Sequence, residues 1–148
     1  MNRPRDLVQR KADILAKLTG DNDVWVATAS AEGTPCLVPL SFAWIDERVL
    51  LATPRANRTT RNISETGTAR LGLGPTRDVV LLEGGAKVLE MDAVCEDVAL
   101  RYAEHTGWDP RPDESMVWIE FSPRRILAWR EVDELEGRAV MDDGRWLV

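Results

Sequence analysis

Thr53–Asn62 reads TPRANRTTRN and lies between two apolar runs, Val49-Leu50-Leu51-Ala52 and the stretch that begins at Ile63. It holds three arginines (Arg55, Arg58, Arg61), three threonines (Thr53, Thr59, Thr60) and two asparagines (Asn57, Asn62). The first apolar run has strand composition, so this stretch is where a strand gives way to a helix. Asn57 is suited to the N-cap, because its side-chain oxygen can accept an orphan N–H of the first turn. Arg58, Thr59, Thr60 and Arg61 then occupy the open end of the helix. Guanidinium forks, hydroxyls and free N–H groups at a helix start are what a phosphate needs. The same spacing also suits an Arg-rich helix start that meets only water, and spacing alone does not choose between the two.

On the N-terminal side, Val24–Ser30 and Pro35–Trp44 read as strands joined by the turn Ala31-Glu32-Gly33-Thr34. Asp46-Glu47-Arg48 turns into a third strand, Val49–Thr53. Three strands with short connections are an antiparallel meander. Pro39 stands in mid-strand and cannot donate to a ladder, so it marks an edge, a bulge or an opening. Opened at Val38-Pro39-Leu40-Ser41, the strand would leave backbone groups free for a ligand; a bulge at a barrel corner accounts for the same proline. Upstream, Leu7, Val8, Ile14, Leu15 and Leu18 share a helical face over Pro4–Thr19, closed by Gly20. This helix would cover one opening of the strands after it.

On the C-terminal side, the short helix runs to about Glu65 and Gly67-Thr68 turns into Ala69–Leu73. Val79–Glu90 is a long strand that Gly84-Gly85 interrupts as a bulge or kink. Asp92–His105 reads as a helix with Cys95, Val98, Ala99 and Tyr102 on one face, stopped by Gly107. Met116–Phe121 and Arg125–Val132 read as a closing hairpin around Ser122-Pro123-Arg124. Antiparallel strands in this number close on themselves to remove edges. The expected fold is mainly β with peripheral helices: a six- to seven-stranded antiparallel split β-barrel in one domain, 1–148. Its helix is 1–20, its barrel 24–132, and its tail 133–148 has weak regularity around a turn at Met141–Gly144.

Composition excludes several function classes. With 148 residues, 44% hydrophobic and 30% charged, the chain has ordinary globular character. A net charge of −6 argues against a general nucleic-acid binder, which needs a basic face. No apolar run reaches the roughly 18 residues that span a bilayer, and the N-terminus lacks a signal-type apolar core, so no membrane contact and a cytoplasmic location are expected. Cys36 and Cys95 form no CxxC pair and are read as buried, reduced thiols. His105 is the sole histidine, which leaves no His-rich metal site. Ser41 has no GxSxG setting, Cys36 no neighbouring base, and the acidic pairs Asp142-Asp143 and Glu134/Glu136 lie in the tail. No catalytic residue and no metal ligand is assigned. Among the tryptophans, Trp25 is read as packing, while Trp129 could pack or line a ring site, and Trp146 is left open.

The order strand, strand with interior proline, strand ending in Thr53, Arg/Asn/Thr-rich helix start, strand, long strand with Glu83-Gly84 resembles the pyridoxamine phosphate oxidase-like split β-barrel family. The flavin- and deazaflavin-dependent oxidoreductases belong to it. The matching pieces are Thr53–Ile63, Val80–Gly84, and Leu100–Ala103 with Pro110-Arg111-Pro112, and the resemblance spans Asp23 to Val132. It implies a homodimer with the cofactor, FMN or coenzyme F420, in a groove between protomers. It also implies that phosphate lies on Arg55 and on Arg58, Thr59, Thr60, Arg61 and Asn62, beside Asn57. The tricyclic ring would lie along Val38, Pro39, Leu40 and Ser41, near Thr53. Family members often carry lysine where Thr59 stands, so this chain has one cationic ligand fewer. No match to the substrate-binding residues of the true pyridoxamine phosphate oxidases is found.

The resulting expectation is an oxidoreductase that transfers hydride to or from a small organic substrate. In such enzymes the cofactor carries the difficult step and the protein supplies binding, orientation and exclusion of water. Two alternatives stand beside it. One is a non-enzymatic barrel that binds or senses a flavin or a tetrapyrrole. The other is a structural barrel with an empty groove.

Overall fold

The computed structural model describes residues 3–148. The first two residues of the helix expected over 1–20 lie outside the described residues. Among the rest the order is α1 (Leu7–Gly20), β1 (Asp23–Ala29), β2 (Pro35–Ile45), β3 (Arg48–Pro54), α2 (Arg58–Thr66), β4 (Thr68–Leu73) and β5 (Val79–Leu89). α3 (Glu96–Thr106), β6 (Met116–Trp129), β7 (Ala139–Asp142) and β8 (Arg145–Trp146) complete it. The strands form one sheet in the order β3-β2-β1-β4-β5-β6-β7-β8, and β3 pairs in addition with β6. That pairing closes β1 to β6 into an antiparallel barrel, as expected, and leaves β7 and β8 as an extension outside the closed wall.

Alternation decides which side chains enter the barrel. In β1, Val24, Val26 and Thr28 are buried, and in β4 Ala69, Leu71 and Leu73 are buried. The apolar ones among them meet Phe42, Leu51, Leu82, Ile119, Phe121 and Ile126 in one core. Helix α1 places Ile14 and Leu18 in that core and α2 places Ile63 there. A second apolar layer lies outside the wall. Ala43 and Ile45 of β2, Leu50 and Ala52 of β3, and Met116 and Trp118 of β6 pack there with Ala99 and Tyr102 of α3.

Several local expectations are corrected. The residues read as a closing hairpin form one continuous strand, β6, that runs through Pro123. The register against β5 slips between Glu83 and Gly84, so Gly84 faces Pro123 while Glu83 faces Arg125. This bulge takes up Arg124 and lets the strand bend without turning back. It requires a glycine, because a Cβ on Gly84 would collide with the Ser122 carbonyl oxygen. Helix α3 starts at Glu96, after a separate 3₁₀ turn at Met91–Ala93. Cys95, as its N-cap, is exposed, and Cys36 is only half-buried; both thiols are free. Gly20 is the last residue of α1 rather than its stop, and Val8 points to solvent. The buried face is instead Arg10, Ile14 and Leu18. Trp25, expected to pack, is 54% exposed. The tail adds the hairpin β7–β8, turned at Asp143-Gly144. No helix of the described residues is long and apolar enough to cross a membrane.

The α1 end of the barrel is held by buried charge. Glu134, only 3% exposed, accepts from Arg5 Nη2 (2.8 Å), Arg5 Nε (3.0 Å) and the backbone N–H groups of Arg5 and Arg130 (2.8 Å each). Arg5 also donates to Asp13 (3.0 Å), and Asp78 joins through Arg130 (3.2 Å) and Lys17 (3.3 Å). The hydrogen bonds from Arg5 outweigh burial and hold the Glu134 carboxyl far below its ordinary range, at about 2. A carboxyl depressed on folding stabilises above its unfolded pKa, and that stability is lost as pH falls through the folded value. Glu134→Gln is expected to destabilise the protein by about 3 kcal/mol at neutral pH, since it unpairs a buried guanidinium. The gap between wild type and variant, read from denaturant melts at several pH values, should narrow from about pH 4.5 toward pH 2.

Candidate functional site

At the start of α2 the Asn57 side chain caps the helix, accepting from Thr60 N–H (2.9 Å) and donating to Thr53 Oγ1 (2.5 Å). The Thr60 hydroxyl lies 2.8 Å from the Pro54 carbonyl oxygen. Asn62 Nδ2 donates to Thr28 Oγ1 of β1 (3.1 Å), and Thr59 Oγ1 sits 4.0 Å from Cys36 Sγ. Thr53, Thr59, Thr60 and Asn62 are all buried. Their polar groups tie β1, β3 and α2 together and face inward. Within the predicted set they form the frame: the Thr60 hydroxyl meets Pro54 and Asn57, and that of Thr59 lies against Cys36.

Arg58 and Arg61, three residues apart on one helix face, are exposed. Among the described residues neither guanidinium makes an ion pair. With Asn62 they line a cleft of about 440 Å³ between α2 and the β1–β2 turn, together with Ser30, Thr34, Cys36, Glu32 and Glu65. The cap accepts the N–H of Thr60 and leaves those of Arg58 and Thr59 in the first turn untaken. The α2 side of the cleft is the helix flank that carries Arg58, Arg61, Asn62 and Glu65, so two cationic forks face a lining that also holds two carboxylates. Glu32 and Glu65 temper its field at the rim.

The other predicted residues lie elsewhere. In β2, residues 35–41 pair with β1 while only 42–45 pair with β3, so among the described residues the edge from Pro35 to Leu40 lacks a strand neighbour. Phe42 N–H donates to Asn22, which directs the polar groups of Leu37 and Pro39 toward that open edge. The missing donor of Pro39 therefore falls where no ladder needs it. Val38 and Leu40 pack against the core. Pro39, Leu40 and Ser41 border a second hollow of about 510 Å³ with Asp23, Trp25, Gly72 and Gly74. Arg55 lies outside both hollows. Its two Nη atoms donate to the two carboxylate oxygens of Glu90 at 2.6 Å each, which raises the Arg55 pKa and lowers that of Glu90.

Sequence reading missed Cys36, Glu32 and Glu65 at the arginine cleft, and Glu90 as the partner of Arg55. The β1–β2 register, which sets Cys36 opposite Thr28, carries the first of these. Nothing local to Glu90 points to Arg55. Trp129 is half-buried with the Arg138 guanidinium 5.8 Å from its ring centre, and Trp146 donates to Glu47 (3.3 Å) beneath Lys11. Among the described residues no three His, Cys, Asp or Glu side chains gather as metal ligands.

Residues 11–130 match the family profile described as pyridoxamine 5′-phosphate oxidase. No curated protein matches the sequence. Among solved structures the chain is similar to an F420 reductase, at 16% identity and a TM-score of 0.62, covering 75% of this chain and 93% of that one. A conserved hypothetical protein of Mycobacterium tuberculosis is similar at 18% identity and a TM-score of 0.70, covering 83% and 86%. HutZ, the heme storage protein of Vibrio cholerae, is similar at 15% identity and a TM-score of 0.67, covering 80% and 93%. At such identities the likeness establishes the barrel and its connections.

The inward frame and the outward arginines should separate under mutation. Asn57→Ala removes the cap and leaves the buried Thr53 hydroxyl unpaired, and is expected to cost about 1–2 kcal/mol in denaturant unfolding. Arg58→Ala, at an exposed position, should change stability by less than about 0.5 kcal/mol.

Proposed function

The chain belongs to the pyridoxamine 5′-phosphate oxidase family, and on that premise we propose that it is an oxidoreductase that uses FMN or coenzyme F420 on a small organic substrate. The observation that carries this reading is the pair Arg58 and Arg61, exposed and unpaired among the described residues, over a cleft along one flank of α2. A phosphate group suits that cleft, since two guanidinium forks would donate to its oxygens. The open β2 edge at Leu37–Pro39 fits the polar rim of a planar ring, since among the described residues the Leu37 backbone groups and the Pro39 carbonyl there lack a strand partner. When bound, either cofactor supplies hydride transfer. This chain's residues hold the phosphate, orient the ring along β2 and shield one side of it from water. The absence of lysine at Thr59 leaves Arg58 and Arg61 as the cations of the site, because Arg55 is engaged by Glu90.

Tetrapyrrole binding without turnover is the weaker alternative. The sole imidazole, His105, places Nε2 2.8 Å from the Asp21 carbonyl oxygen, away from both hollows, and so is not offered as an axial ligand.

The same reading pairs two copies of the chain. Trp25 and Leu37 are 54% and 62% exposed on the outer face of β1 and β2, beside Pro39 and Leu81. An apolar patch of this kind on a barrel wall suits a partner surface. Trp25→Glu is expected to yield monomers in sedimentation where the wild type is a dimer; a monomeric wild type would remove the pairing.

Fluorescence titration of the purified protein with FMN and with F420 separately tests the assignment. Binding of one names the cofactor, and binding of neither overturns the reading. Replacing Arg58 and Arg61 together with alanine should weaken binding by on the order of a hundredfold, as two charge-assisted contacts are lost.

A further inference from the structure

Helix α2 carries its charges in an order that helix stability does not favour. Arg58 opens the helix, Arg61 ends its first turn and Glu65 lies in its last, with no acidic residue at the start and no basic one at the end. The macrodipole favours the reverse, anions at the N-terminus and cations at the C-terminus. Arg61 and Glu65 stand four residues apart with the cation first, the weaker orientation for a helical pair. Among the described residues they form no ion pair, although both line the same cleft. The flank thus runs from two cations to a carboxylate over a length of about 10 Å. The opposite wall is pinned along it: Thr28 of β1 meets Asn62 at 3.1 Å, and Cys36 of β2 lies 4.0 Å from Thr59. The turn between those strands brings Glu32 to the cleft, exposed and, among the described residues, also without an ion pair.

We infer that Glu32 and Glu65 are specificity-determining residues: they let the arginines hold one phosphate and repel a ligand whose negative charge continues beyond it. This deepens the cofactor reading above and rests on it for the ligand, because it chooses between the two cofactors. FMN ends in a single phosphate. In F420 the phosphate is a diester that leads on to a tail of carboxylates, which would meet the carboxylates of the cleft. Repulsion grows with the number of charges on the ligand, whereas contact with two guanidinium forks is complete at the first phosphate. FMN is the cofactor whose charge suits this lining. The order of charges along α2 then answers to a ligand, since the helix by itself would be steadier with that order reversed.

The test is the double variant Glu32→Gln with Glu65→Gln, which keeps the size of both exposed side chains and removes their charge. FMN and F420 are titrated by fluorescence at low salt. Inorganic phosphate and tripolyphosphate are titrated by NMR, read at the Nε–H signals of Arg58 and Arg61. The wild type should bind FMN at least about tenfold tighter than F420, and the variant should bring the two within about threefold. The variant should also gain about tenfold in affinity for tripolyphosphate and no more than about threefold for phosphate. Wild-type affinity for F420 equal to or above that for FMN overturns the proposal, as does a gap that the variant leaves unchanged. Equal gains for the two inorganic anions, or no shift of either arginine signal with phosphate, overturn it too. If neither cofactor binds the wild type, the functional reading fails, and the two inorganic anions alone decide whether the carboxylates limit the charge the cleft accepts.

Discussion

The pairing of β3 with β6 is the constraint on which the rest of the structure depends. Val49–Pro54 lie against Met116–Phe121 in antiparallel register, and this turns an open sheet into a closed wall. Closure gives backbone groups along the wall a partner, and a buried backbone group without one is costly. One strand exceeds what closure can satisfy. β2 has eleven residues, of which only the last four meet β3. The opening is therefore a consequence of strand length and stagger, and it lies beside the end of β3, where α2 begins.

The two ends of the barrel are sealed by different chemistry. At the α1 end, buried Arg5 and Glu134 are matched by several hydrogen bonds, and the charges are turned inward. Buried ions are tolerated only when paired in this way. At the α2 end the groups are neutral: half-buried Asn57 bonds the buried Thr53 and Thr60, Asn62 bonds Thr28, and the arginines are turned outward. The first arrangement consumes its charges in holding the fold. The second leaves Arg58 and Arg61 exposed while the helix that carries them is held by neutral hydrogen bonds.

Features set by short-range patterns were legible. The meander from β1 to β3, the Asn57 cap and the bulge at Gly84-Gly85 all arise from alternation, capping chemistry and glycine placement within a few residues. Features set by distant partners were not. Pro123 reads as a turn until Gly84, far away in the chain, is seen to accept the bulge opposite it. Arg55 reads as a phosphate ligand, and only the fold sets Glu90, 35 residues on, against its fork. Glu134 reads as a tail residue until Arg5, 129 residues earlier, meets it.

By itself, the sequence determined the strands from β1 to β5 and the helices between and before them, the antiparallel character of the fold and the chemical inventory of the α2 start, because these depend on periodicity and on hydrogen bonds between near neighbours. Only the tertiary structure decided which of those residues face outward. Thr59 and Thr60 went to the frame, Asn62 to both frame and cleft, Arg55 to Glu90, and Arg58 with Arg61 to the cleft. A side chain's partner is set by which strands close the barrel and in what register, and that choice is made by contacts distant in the chain.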